Sequence, residues 1–286
     1  MTGDAEPVPP FRNILFATDF SGESRAALPY ALALARRYDA KLFLAHVIVP
    51  EEETLRDGEE ARRAAQLLME EIEKEAQGAN VPTQTLLACG SIHVRLCELV
   101  RQHQVDLIVT GTHGRTGWKR LVLGSTAEEI FRCAPCPALT VGPKAITRAH
   151  LPDVQHILCA TDFSPESSHA ARYAHALARA YDARITMLHV LPGLLASNPE
   201  AEKLAHIFVE EMRRQLPGVI PGKTYLECRL AFGEPSEEIF RMREASQADL
   251  VVLGARRAGR YATHLLGGVA YRVVARAECP VLIVPS

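Results

Sequence analysis

Ile14-Leu15-Phe16-Ala17-Thr18-Asp19-Phe20-Ser21 returns 143 residues later as Ile157-Leu158-Cys159-Ala160-Thr161-Asp162-Phe163-Ser164. Each copy is a short apolar run followed by a polar turn, the pattern of a strand buried on both faces that ends in a loop. At the same shift His46-Val47 returns as His189-Val190, Gly90 as Gly233, Gly111 as Gly254 and Gly124 as Gly267. Over residues 13–47, 21 of 35 positions match their partners, far beyond chance. The 286-residue chain is therefore a tandem duplication. Each copy is about 140 residues, an ordinary domain size. We place the domains at 11–143 and 153–286. The join carries Gly142, Pro143 and Pro152 and is short, so the copies are expected to pack on each other rather than swing freely.

Working outward, Ser21 is a helix N-cap. Ala27, Ala31, Leu34 and Tyr38 follow at one-face helical spacing, and Ala170, Ala174, Leu177 and Tyr181 repeat them. Strands are expected over 14–18, 41–49, 83–88, 106–110 and 137–141. Helices are expected over 59–77, 91–102 and 125–132, the last after a long loop. Strands alternating with helices imply an α/β fold, a doubly wound parallel sheet with helices on both faces.

Composition narrows the function classes. With 48% hydrophobic and 23% charged residues the chain reads as soluble and globular. A formal net charge of −2 gives no reason to expect nucleic acid or an acidic membrane as partner. No apolar run is long enough to span a bilayer. Residues 1–10 are Pro-rich and acidic and lack a signal-peptide pattern, so we expect a short disordered arm. Seven cysteines, an odd number without an export signal, point to reduced thiols in a cytoplasm. Cys133-x-x-Cys136 aligns with Arg276 and Cys279, so it is not shared between copies. We assign it no metal or redox role.

The most informative loop is Gly111-Thr112-His113-Gly114-Arg115-Thr116-Gly117, running on to Gly124-Ser125. It leaves a buried strand, passes through glycines and reaches a helix start. Glycine permits close backbone approach to a ligand, and a helix N-terminus offers unpaired N–H groups to an anion. Together they make a phosphate site. The spacing Gly-x2-Gly-x9-Gly-Ser is neither the Walker loop nor the dinucleotide fingerprint.

This loop, with Ala134-Pro135-Cys136-Pro137 and the opening Ile-Leu-Phe-Ala-Thr-Asp-Phe-Ser, resembles the universal stress protein family, and the resemblance covers both halves. It implies two Rossmann-like (flavodoxin-like) domains, each with a five-stranded parallel sheet of order 3-2-1-4-5. It also implies a nucleotide crevice where the winding reverses. Ala17, Thr18, Asp19 and Val47 would lie on the adenosine side. Thr110 would be among the binding residues, Gly111 would approach the ribose, and Gly114, Arg115, Gly124, Ser125 and Thr126 would surround the phosphates. The ligand would be ATP, ADP or AMP, with Mg2+ bridging the phosphates.

The second loop departs from this pattern. Arg257 replaces the second motif glycine and Gly268 replaces the serine, while Asp162, Val190, Gly254 and Gly267 remain. Either the second copy has lost nucleotide, or Arg256, Arg257 and Arg260 bind an anion by charge. We expect ATP chiefly in the first copy.

No catalytic set is assigned, and the leading reading is a nucleotide-binding regulatory module. The alternatives are a slow ATP hydrolase or other ATP-using enzyme, and a scaffold with vestigial sites. The related ATP pyrophosphatases carry a Ser-Gly-Gly-x-Asp loop that Thr18-Asp19-Phe20-Ser21-Gly22 does not match. The apolar last strands, 137–141 and 280–284, are expected to pair within the chain as a pseudo-dimer, from which a homodimer of chains could follow.

Overall fold

An apolar segment can be buried only if its backbone finds partners on both sides. β1 (Asn13–Ala17) does so, with Ile14, Leu15, Phe16 and Ala17 essentially sealed from solvent. It pairs in parallel with β2 (Lys41–Ile48) on one side, Ala17 opposite Ala45. On the other side it pairs in parallel with β4 (Leu107–Gly111), Ala17 opposite Thr110. β3 (Thr83–Cys89) adds beside β2, and β5 (Ala138–Val141) beside β4, both parallel. The order β3-β2-β1-β4-β5 is the one the resemblance implied. The winding reverses between β1 and β4. The computed structural model describes residues 11–49, 55–112, 130, 135–142, 145, 154–191, 201–216, 225–256 and 268–285. The chain divides into two compact units, whose described parts lie within 11–145 and 154–285.

In the first unit the helix expected after β1 is broken. α1 (Gly22–Arg25) stops after one turn and α2 (Leu28–Tyr38) begins anew. Pro29 is the cause: it has no N–H to continue the ladder onto the Arg25 carbonyl. The Ala27 amide tightens instead onto the Ser24 carbonyl at 3.1 Å. In the second unit Arg172 stands at the place of Pro29, and the corresponding helix, α5 (Pro165–Tyr181), runs unbroken. The first unit is completed by α3 (Leu55–Gly78) and α4 (Ile92–Gln102). Leu15, Ala17, Phe43, Ala45, Leu96, Val100, Ile108, Ile130 and Ala138 form a core cluster on one face of its sheet.

The second unit repeats the plan with β6 (His156–Thr161), β7 (Arg184–Leu191), α6 (Ala201–Arg214), β8 (Leu226–Phe232), α7 (Pro235–Ser246), β9 (Leu250–Ala255), α8 (Val269–Arg276) and β10 (Val281–Pro285). Its parallel sheet has the order β8-β7-β6-β9-β10. Even the strand entry is duplicated. Asp106 accepts the Arg12 and Asn13 amides at 2.7 and 3.2 Å, and Asp249 accepts those of Gln155 and His156 at 3.0 Å.

The N-terminal arm and, apart from Ile130, the helix expected over 125–132 lie outside the described residues, as do Gly114, Arg115, Gly124, Ser125, Thr126, Arg257, Arg260 and Gly267. No helix among the described residues is long and apolar enough to cross a membrane. The thiol reading needs one correction. Cys97 is disulfide-bonded, whereas Cys89, Cys159 and Cys228 carry free thiols. Residue spacing cannot reveal a pairing that tertiary contact creates. Complete burial pushes the Cys159 thiol up to about 12, so it is not a nucleophile at neutral pH.

Candidate functional site

The turn after β1 is held by a set of hydrogen bonds. Thr18 is buried, and its amide donates to the Ala45 carbonyl at 3.0 Å. Its hydroxyl accepts from the Phe20 amide at 3.0 Å and pairs with the Ser24 hydroxyl at 2.9 Å. Its carbonyl lies 2.8 Å from His46 Nδ1. Asp19 Oδ1 accepts from the Ser21 amide at 3.0 Å and the Ser21 hydroxyl at 2.6 Å. Ser21 in turn caps α1 through the Ser24 amide, as expected. Phe20 sits at φ 64°, a conformation that is an outlier for a bulky residue. Its ring rests on His46, centroids 4.3 Å apart.

The second unit reproduces the arrangement. Phe163 has φ 62° and lies 4.4 Å from the His189 ring, whose Nδ1 is 2.8 Å from the Thr161 carbonyl. Thr161 pairs with Ser167 at 3.0 Å, and Asp162 accepts the Ser164 amide at 3.0 Å. Burial pushes the Asp162 carboxyl up, but hydrogen bonds led by Ser164 outweigh it and hold the group below its ordinary value. Two differences are local to this unit. Phe208 of α6 stacks on Phe163 and packs at a tilt against His189, where the first unit has Ala65 at the equivalent position. Gln215 bridges the Thr161 and Ser168 hydroxyls, both at 2.8 Å.

Across the crevice, Thr110 donates to the Ala17 carbonyl at 3.3 Å, and the Thr112 amide donates to Val141 at 3.0 Å. Gly111 is buried against α1. A Cβ there would meet the Glu23 carbonyl oxygen at 2.7 Å and Ser24 Cα at 2.9 Å. Gly254 is tighter still, with Glu166 and Ser167 backbone atoms at 2.4 Å. Close packing of strand on helix alone therefore requires both glycines. In the second loop Arg256 pairs with Glu166 at 3.7 Å, and Gly268 caps α8 without a side-chain bond.

The structure thus brings Ala17, Thr18, Asp19, Thr110 and Gly111 to the ends of two adjacent strands. Val47 lies on the neighbouring β2, buried. In the second unit Asp162, Val190 and Gly254 follow β6, lie in β7 and lie in β9. The sequence reading did not find the Phe20 conformation or the clamp made by His46 and Ser24. One signal was present: all three residues recur at the 143-residue shift as Phe163, His189 and Ser167.

The universal stress protein family model matches residues 10–142 and again 153–285. The chain belongs to the universal stress protein family. It is of tandem type, and over 297 residues it is 28% identical to a universal stress protein of Mycolicibacterium smegmatis, covering 95% of this chain and 96% of that one. A universal stress protein of Methanocaldococcus jannaschii is 30% identical over 139 residues, 46% of this chain and 82% of its own length. Among solved structures, a universal stress protein from Archaeoglobus fulgidus superposes with a TM-score of 0.77 at 20% identity, covering 96% of this chain and 98% of that one. At that identity the likeness shows the fold.

Proposed function

We propose that this universal stress protein is an adenine-nucleotide-binding regulatory module, with ATP held in the first unit. One observation carries the reading. The Asp19 turn and Gly111 meet at the single point where the winding of the first sheet reverses, the position at which open α/β sheets take ligands. The glycine-rich segment from Gly111 to Gly124-Ser125 leaves β4 at that point. In this reading the backbone around Gly114 and Gly124, the Ser125 and Thr126 hydroxyls and Arg115 hold phosphates. The Asp19 turn and Val47 hold the adenosine end. Mg2+ would supply charge neutralisation between phosphates.

The loop has no Walker lysine, so hydrolysis is at most slow and binding is the function. Nucleotide favours one conformation or assembly, which partners read. The domains are 11–143 and 153–286, and the second is a degenerate copy. Arg257 and Gly268 replace the glycine and serine, and Arg256 is already paired with Glu166.

The test is to purify the protein, release bound small molecules and identify them, then titrate the emptied protein with ATP-Mg. Adenine nucleotide that is released or rebound, and lost in Gly114→Arg, supports the reading. A protein that is empty as purified and ignores millimolar ATP-Mg overturns it.

A further inference from the structure

β1 ends at Ala17, and the peptide that follows has no strand ladder to hold it. Along a strand successive residues direct their backbone groups to alternate sides. The Ala17 carbonyl turns to β4, where Thr110 donates at 3.3 Å. Thr18 turns both of its groups to β2: the amide to Ala45 at 3.0 Å, the carbonyl to His46 Nδ1 at 2.8 Å. A carbonyl only accepts, so Nδ1 carries the proton in this bond. In a planar trans peptide the N–H opposes the C=O. The Asp19 N–H is therefore directed away from β2, toward the end of β4 where Gly111 and Thr112 lie. His46 stands in for the missing ladder and sets this orientation. Its ring also backs Phe20, the left-handed residue that lets Asp19 fold back onto Ser21. The second unit repeats the bond and the ring contact with the same residue types.

We propose that His46 is a positioning residue for ligand in the first unit. It touches no nucleotide itself, but it fixes the Thr18–Asp19 peptide and the Asp19 turn that face the adenosine end. This rests on the nucleotide reading above. The test uses the full chain, titrated with ATP-Mg and separately with AMP. His46→Leu cannot donate to Thr18, whereas His46→Asn places an amide N–H close to the position of Nδ1.

The expected result is a loss of about tenfold in affinity for His46→Leu, the size of one well-placed hydrogen bond. ATP and AMP lose equally, because the defect lies at the adenosine end. His46→Asn recovers most of the affinity. Cooperative thermal unfolding of each unliganded variant confirms the fold, and His46→Ala replaces His46→Leu if the latter does not fold. Wild-type affinity in the non-donating variant, or no rescue by asparagine, overturns the positioning role while leaving the nucleotide reading in place. A wild-type protein that binds neither ligand overturns both.

Discussion

Replacing Gly111 with alanine tests whether packing, and not only a ligand, demands this glycine. The added methyl would lie 2.7 Å from the Glu23 carbonyl oxygen, 2.9 Å from Ser24 Cα and 3.0 Å from the Glu23 carbonyl carbon. Comfortable carbon–oxygen approaches begin near ~3.3 Å, so α1 must retreat by roughly half an ångström. All three atoms are backbone, and no rotamer change relieves them. The turn that carries them is pinned by the Ser21 cap and the Thr18–Ser24 bond. Overpacking of this kind costs about 1–3 kcal/mol. The stiffer unfolded chain of an alanine variant returns about 0.4–1 kcal/mol. The net expectation is a loss of about 1–2 kcal/mol. With a urea m-value of about 2 kcal/mol/M, the first unit's midpoint falls by roughly 0.5–1 M. The assay is urea unfolding of the full chain by circular dichroism. The internal control is Gly22→Ala, where nothing among the described residues lies within 4 Å of the added carbon. That variant should unfold within about 0.5 kcal/mol of wild type. A Gly111→Ala midpoint indistinguishable from that of Gly22→Ala would refute the packing argument.

Two further outcomes follow from the second unit. His156 is buried at the start of β6, with Nδ1 2.9 Å from the Ser246 carbonyl and Nε2 2.8 Å from the Thr186 hydroxyl. Burial, helped by Arg184, lowers its pKa against the pull of the Ser246 bond, Asp249 and Glu227. A histidine whose folded value lies below its unfolded value contributes stability that is intact above about pH 6.5 and is lost as the pH falls below it. His156→Asn, which copies Asn13 of the first unit, should remove that part of the acid sensitivity. A wild-type-minus-variant difference that stays flat between pH 7.5 and 5.5 would contradict this. Gly268 caps α8 with no side-chain bond, and among the described residues nothing lies within 4 Å of a Cβ added there. Gly268→Ser should therefore raise stability slightly, by about a few tenths of a kcal/mol, seen as a small rise in the thermal midpoint. It should not confer ATP binding on the second unit, because Arg257 remains, and tight binding to a 153–286 fragment carrying it would refute that reading.

How much of this was legible in the residues differs from feature to feature. The sheets were readable because a doubly covered parallel strand is an apolar run with no alternation, and Ile14–Ala17 and Ile157–Ala160 are such runs. The duplication served as its own alignment. It also misled: four identical positions from Ala27 to Tyr38 argued for one continuous helix, while the break was written in Pro29, where the copies differ. The meaning of Gly111 was half legible. A glycine after a strand signals close approach, but only the packed structure shows that α1 makes that approach. Phe20 was beyond reach, since left-handed backbone at a phenylalanine follows from the surrounding bonds rather than from its own preference. The disulfide at Cys97 was hidden for the same reason.

The central claim is that one of two duplicated sites retains nucleotide. Calorimetric titration of the nucleotide-free full chain with ATP-Mg tests it most directly, because stoichiometry counts sites without assuming where they lie. The account predicts one ATP per chain, abolished by Gly114→Arg and unaffected by Gly268→Ser. Two equivalents per chain, none, or a single equivalent that survives Gly114→Arg would contradict it.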